Sequence, residues 1–157
     1  MSTPIPVSTA PAARRWLFEQ FTAQIAPDPD NARASLLICY DVPGPNEPED
    51  IIAVGLVTRT LDVNSVVGGG GKGWLDERYS IAVTIDCFRG GDDPAAVFDR
   101  ASTLLDQTCA IVRTDPTLGG AVLVARPTTS QTEGEWDSDN LGRHTVVTFA
   151  VECYARI

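Results

Sequence analysis

Residues 67–74 read VGGGGKGW, and glycines running into a lysine have the composition of a phosphate cradle. A P-loop requires Gly, four intervening residues and then Gly-Lys-Ser/Thr, opening a helix whose N-terminus faces the phosphates. Gly71-Lys72 supplies the Gly-Lys pair. The first glycine would then fall on Val66 and the magnesium-binding hydroxyl on Gly73, and the WLDERYSIAVTIDCF that follows has strand character. The stretch therefore reads as a mobile joint, with Lys72 a contact charge rather than a phosphate ligand.

Other reactive residue types are sparse. The single histidine, His144, opens the last predicted strand on its wet face, and no Gly-x-Ser-x-Gly elbow accompanies it. Asp137-Ser138-Asp139-Asn140-Leu141-Gly142 imitates the start of an EF-hand loop. Its fifth position is Leu141 and its twelfth is Thr148, where calcium needs oxygen ligands and a bidentate Glu. Glu133 and Glu135 lie in a polar stretch where nothing raises a carboxyl pKa, so they read as a solvated charge pair. Cys39, Cys87, Cys109 and Cys153 are too scattered for a zinc knuckle and each sits in apolar sequence, as small buried thiols do. The expectation is a chain with no catalytic, cofactor or metal site.

Stranded aromatics are more informative. Trp74 ends the glycine run, and Trp136 sits among Glu135, Asp137 and Asp139. A tryptophan buries about 200 Å² and is a favoured interface anchor. Two long polar loops with one tryptophan each suggest partner surfaces that order on contact. The candidate interface residues are Gly70, Lys72, Trp74, Glu135, Trp136 and Asp137.

These loops need a scaffold. Residues 1–10 are rich in Pro, Ser and Thr and read as an extended arm; 11–157 read as one domain. Trp16, Leu17, Phe21 and Ile25 recur at helical spacing until Pro27. Strands are expected at 35–41, 51–61 and 77–89, the last alternating Tyr79, Ile81, Val83, Ile85 and Cys87 against Ser80, Thr84 and Asp86. The stretch 42–50, VPGPNEPED, is a surface loop. Asp93 caps a helix beginning at Pro94. Its apolar stripe is Val97, Ala101, Leu104, Leu105, Thr108 and Val112, with Asp99, Arg100, Asp106 and Gln107 pointing outward. Strands at 120–126 and 143–157 complete the chain, the latter turning Val147, Phe149, Val151 and Cys153 inward. The sum is an α+β fold: a largely antiparallel sheet of about five strands on two helices, with long flexible loops.

Twelve basic against twenty-one acidic residues give a net charge of −9. That balance disfavours gripping nucleic acid, which takes a basic face. No apolar run approaches the roughly 18 residues of a membrane span. The opening MSTPIPVSTAPAARRW does not read as a secretory signal.

Element order adds a family resemblance. A docked helix (PAARRWLFEQF) precedes strands and a long loop. A patterned strand, ERYSIAVTIDCFRGGDDP, leads directly into the helix VFDRASTLLDQTCAIV, and GRHTVVTFAVECYARI closes the chain. From about Pro11 onward this resembles the tail terminator proteins of long-tailed bacterial viruses, and the related tail-completion and minor tail proteins. The resemblance implies a homo-oligomeric ring, expected to be a hexamer, on the last ring of the major tail tube protein. Such a ring stops tube polymerisation and joins the head–neck connector (stopper). Viral DNA passes through without specific binding, and no membrane or cofactor is involved. The implied location is the virion's head–tail junction, after assembly in the host cytoplasm. Alternatives are another neck or tail component, such as a stopper or tube subunit, or a small-molecule-binding α+β domain.

Overall fold

The computed structural model describes residues 6–45, 47–63, 75–139 and 141–157. Helix α1 (Ala10–Gln24) begins with Pro11 in its first turn, where a missing N–H costs nothing. It buries Ala10, Ala13, Leu17 and Phe21, one stripe along the helix. Its other two aromatics are also engaged. Phe18 stacks on Tyr40 at a centroid distance of 4.5 Å. Trp16 lies so close to Gly119 that an added Cβ there would stand 2.7 Å from the indole, and Gly119 has φ +69°. Only glycine satisfies both demands.

The strands are β1 (Leu36–Tyr40), β2 (Asp50–Val63), β3 (Leu75–Gly90), β4 (Val124–Pro127), β5 (Gln131–Trp136) and β6 (Gly142–Arg156), with helix α2 (Pro94–Thr114) between β3 and β4. They form one sheet in the order β1-β2-β3-β6-β4, with β5 also pairing β6 beyond the end of β4. Only the β1–β2 pairing is parallel. The long alternating strands β3 and β6 pair along their whole length, from Asp76–Arg156 to Gly90–Gly142. Gly142 makes the last step possible, because any side chain there would overlap the Arg89 carbonyl oxygen and the Phe88 ring.

Both helices cover the same face, where Ile81, Val83, Ile85, Val147 and Val151 meet Leu17, Phe21, Val97, Leu104 and Val112. Each such side chain contributes about 1.5–3 kcal/mol by leaving water. The Asp93 side chain accepts from the Ala96 N–H and caps α2 as expected. The opposite face is wet along β3 and β6. The 41–49 connection lies across part of it, beside Ile51, Ala53, Thr84 and Asp86.

The α+β class, the two helices and the mostly antiparallel sheet agree with the sequence reading, and three details differ. Arg100 does not point outward: it is buried, because Asp50, also buried, accepts from its Nε at 2.9 Å. The expected strand at 120–126 is only Val124–Pro127. Residues 116–123 turn instead, with φ positive at Leu118, Gly119 and Gly120, which takes the backbone out of the extended region. The polar stretch after Pro127 is not all loop, since Gln131–Trp136 pairs with β6. Trp136 is thus a strand residue.

Candidate functional site

His144 sits on the open face of β6, and both of its ring nitrogens are engaged. Nδ1 is 2.8 Å from an Asp86 carboxylate oxygen and Nε2 is 3.2 Å from one of Asp137. The Phe88 ring lies 4.8 Å away, tilted. Burial disfavours the imidazolium, but the two carboxylates outweigh it, led by the Asp86 hydrogen bond, and the pKa is raised. A histidine with a carboxylate on each nitrogen has no nitrogen free to activate a nucleophile. It clips the start of the β5–β6 turn to β3.

Two further charge clusters are internal. Asp50 takes Arg89 Nη1 at 2.7 Å, Arg89 Nη2 at 3.1 Å and Arg100 Nε at 2.9 Å, while Arg89 also reaches Asp28 at 2.9 Å. Arg100 Nη2 adds a bond to the Ala26 carbonyl at 3.2 Å. These bonds tie the start of β2, the end of β3, α2 and the chain leaving α1. Glu77 is wholly buried, accepting from the Thr9 N–H at 2.9 Å, the Thr9 hydroxyl at 2.6 Å and Arg59 Nε. Burial alone would raise its pKa, but hydrogen bonds from Ser8, Thr9 and Arg59 prevail and lower it. Both clusters act on folding.

The expected interface residues separate into two groups. Gly70, Lys72 and Trp74 fall in 64–74, outside the described residues. That segment joins Val63 to Leu75, which pair at one end of the sheet. The turn after Trp136 lies at the other end of the β3–β6 ladder, beside Gly90 and Gly142. β3 has 16 residues, so the two segments leave the sheet about 50 Å apart.

At the described end, β5 is a carboxylate-bearing edge whose six residues are all exposed. Glu133 and Glu135 pair with Val146 and His144 and so face the open side; Trp136 pairs with Arg143 and faces the helix side. Trp136 is 44% exposed, with the Arg143 guanidinium 3.6 Å over its ring. Arg143 in turn donates to Asp92 at 3.0 Å. This cation–π contact holds the indole in place while leaving it accessible. Asp137 is held by His144. Sequence reasoning picked out Trp136, Glu135 and Asp137 but missed Arg143, whose place opposite Trp136 follows only from the β5–β6 register.

Among the described residues, no three of His, Cys, Asp and Glu converge as a metal site. The four cysteines are free thiols; burial raises the pKa of Cys153 to about 12 and also raises that of Cys87. Neither thiol has the lowered pKa of a reactive nucleophile. A shallow depression on the open face contains Arg78 against the Tyr154 ring and Arg126 bonded to Glu152. No described helix is long and apolar enough to cross a membrane.

A scan of known protein families finds no match, and no curated protein matches. Among solved structures, the chain is similar to one from the "Virion of native gene transfer agent (GTA) particle". The TM-score is 0.44 and the identity 12%, over 96% of this chain and 100% of that one.

Proposed function

We propose that this chain is a structural virion protein. In this reading it is the subunit of a ring, expected to be hexameric, that caps a phage tail tube, stops its polymerisation and joins it to the neck connector. DNA passes through the lumen without being read. One observation carries the reading: the element order behind the family resemblance folds as a single sheet, with both helices on one face and exposed strands along its flanks. The charged groups that could have formed a reactive centre are instead paired within the fold. What the described surface offers is shape, edges and a few accessible apolar groups such as Trp136 and Leu141. Function by association follows naturally from such a surface.

The net charge of −9 suits a lumen that DNA must traverse without sticking. Gly70, Lys72 and Trp74, and with them Glu135, Trp136 and Asp137, are assigned to contacts with tube, neck or neighbouring subunit. A stopper or tube subunit is the alternative role within the same class.

Negative-stain imaging of the purified protein mixed with tail tubes tests the role. Caps at one end of each tube, with elongation arrested, are expected. Incorporation along the tube wall would instead identify a tube subunit, and no association with tubes would remove the proposal.

A further inference from the structure

Three strands have a neighbour on one side only, β1, β4 and β5, and β4 lies level with residues 57–60 of β2, beyond the end of β1. β1 pairs with β2 and β5 with β6, and among the described residues no other backbone pairing engages either strand. Their relative placement can be followed across the ladders. Leu36 pairs with Asp50, Asp50 with Cys87, Cys87 with Thr145, and Thr145 with Gly134. Two residues on, Ile38 leads through Ile52, Ile85 and Val147 to Thr132. β1 and β5 are therefore level, with five residues in β1 and six in β5. They also run in opposite directions, because one parallel and three antiparallel steps separate them.

We infer that β1 of one copy pairs antiparallel with β5 of the next, joining successive sheets around the ring. This deepens, and rests on, the ring reading above. A head-to-tail contact uses a different patch on each partner and closes only if successive copies do not climb. Level edges meet that requirement with little slide along the strands. A large stagger would add a step at every contact and build a filament.

The side chains favour this partner over a second copy of the same strand. β1 reads LLICY, with no charge to discourage pairing at an open edge. β5 carries Glu133 and Glu135, which would repel a second β5 but meet no acid on β1. Bulk also complements. On the helix side Leu36 comes level with Gly134, which has no side chain, and Ile38 with Thr132. On the open side Cys39 leads through Ala53, Thr84 and Thr148 to Gln131.

That last relation supplies the experiment. Residues opposite each other on antiparallel strands have Cα atoms about 4.5–5.5 Å apart, within the span of a disulfide. Gln131 is exposed, and Cys39 is the only cysteine that is not buried. Full-length Gln131→Cys, mildly oxidised and run without reductant, is expected to give a ladder of covalent oligomers ending at the ring's copy number. Thr132→Cys turns its thiol to the other side of the sheet and is expected to give about tenfold less cross-linked product. Adding Cys39→Ser to Gln131→Cys should abolish the ladder.

Light scattering on the uncross-linked protein separates the two claims. Rings without the ladder, or equal cross-linking from Thr132→Cys, overturn the β1–β5 contact and leave the ring reading standing. Wild-type dimers linked through two Cys39 thiols overturn it in favour of β1 pairing with itself. Protein that stays monomeric both alone and at tube ends overturns both.

Discussion

Asp50 and Glu133 are carboxylates on strands of the same sheet, yet they do opposite things. Asp50 is fully buried, with two arginines converging on it, and it locks four segments of the chain together. Glu133 stands exposed on an outer strand with no described ion-pair partner. An inward acid helps to define the fold, because removing it strands buried positive charge. An outward acid on an edge costs the fold almost nothing to keep or lose, and acts by governing which strands approach. The helix-covered half of the molecule thus holds the shape, and the flanks hold whatever association there is.

The sharpest way to break this contrast is to neutralise Asp50. Asp50→Asn keeps the volume but removes the negative charge and one acceptor oxygen, leaving Arg100 and Arg89 to share one amide oxygen besides the Ala26 carbonyl, the Phe88 carbonyl and Asp28. Removing one member of a buried pair costs about 3–5 kcal/mol, and a chain of this size loses about 2–4 °C in Tm per kcal/mol. A drop of about 10 °C by calorimetry is expected, against no more than about 0.5 kcal/mol for Glu133→Gln. Similar effects from the two would erase the distinction.

Glu77 sharpens it further, because its buried carboxylate holds a chain segment more than a core. Glu77→Gln weakens the clasp on Thr9 and Arg59 and is expected to cost about 1.5–3 kcal/mol. The first sign should be faster amide exchange at Thr9. Its pKa is lowered in the folded state by the Ser8, Thr9 and Arg59 hydrogen bonds acting against burial. Its contribution is therefore complete above the ordinary glutamate value of about 4.3 and is lost as pH falls through the folded value. In Glu77→Gln that part of acid destabilisation should be missing.

The same division explains what the sequence revealed. β3 and β6 were legible because period-two alternation is the imprint of one buried face. Glu77 falls in the same inward series two places before Tyr79, but as a charged residue it was not read as buried from the sequence. β5 left no such trace. QTEGEW buries no side chain, and only its backbone ladder to β6 makes it a strand. Arg100 misled for a related reason: on a helix it looks like solvent-facing charge, while its partner Asp50 is 50 residues away. The candidate residues Glu135, Trp136 and Asp137 stood out as oddities of composition, but the Arg143 guanidinium over Trp136 required the register.

His144 gives the smallest effect predicted for a group paired within the fold, and probes the boundary between the two halves. It joins Asp86 of β3 to Asp137 of the turn after β5, with the backbone of Glu135 paired beside it and Glu47 and Glu49 bordering the same hollow. Burial opposes its protonation and the Asp86 and Asp137 carboxylates more than compensate, so the folded-state pKa is raised. Stability from this clip is full below the ordinary histidine value of about 6.5 and falls away as pH rises through the raised value. His144→Gln is expected to cost about 1 kcal/mol at pH 6 and less at pH 9, measured by urea titration at each pH. The buried core should keep its amide protection while exchange quickens in β5 and its turn. A loss equal at both pH values would mean that packing against Phe88, rather than charge, holds β5 in place.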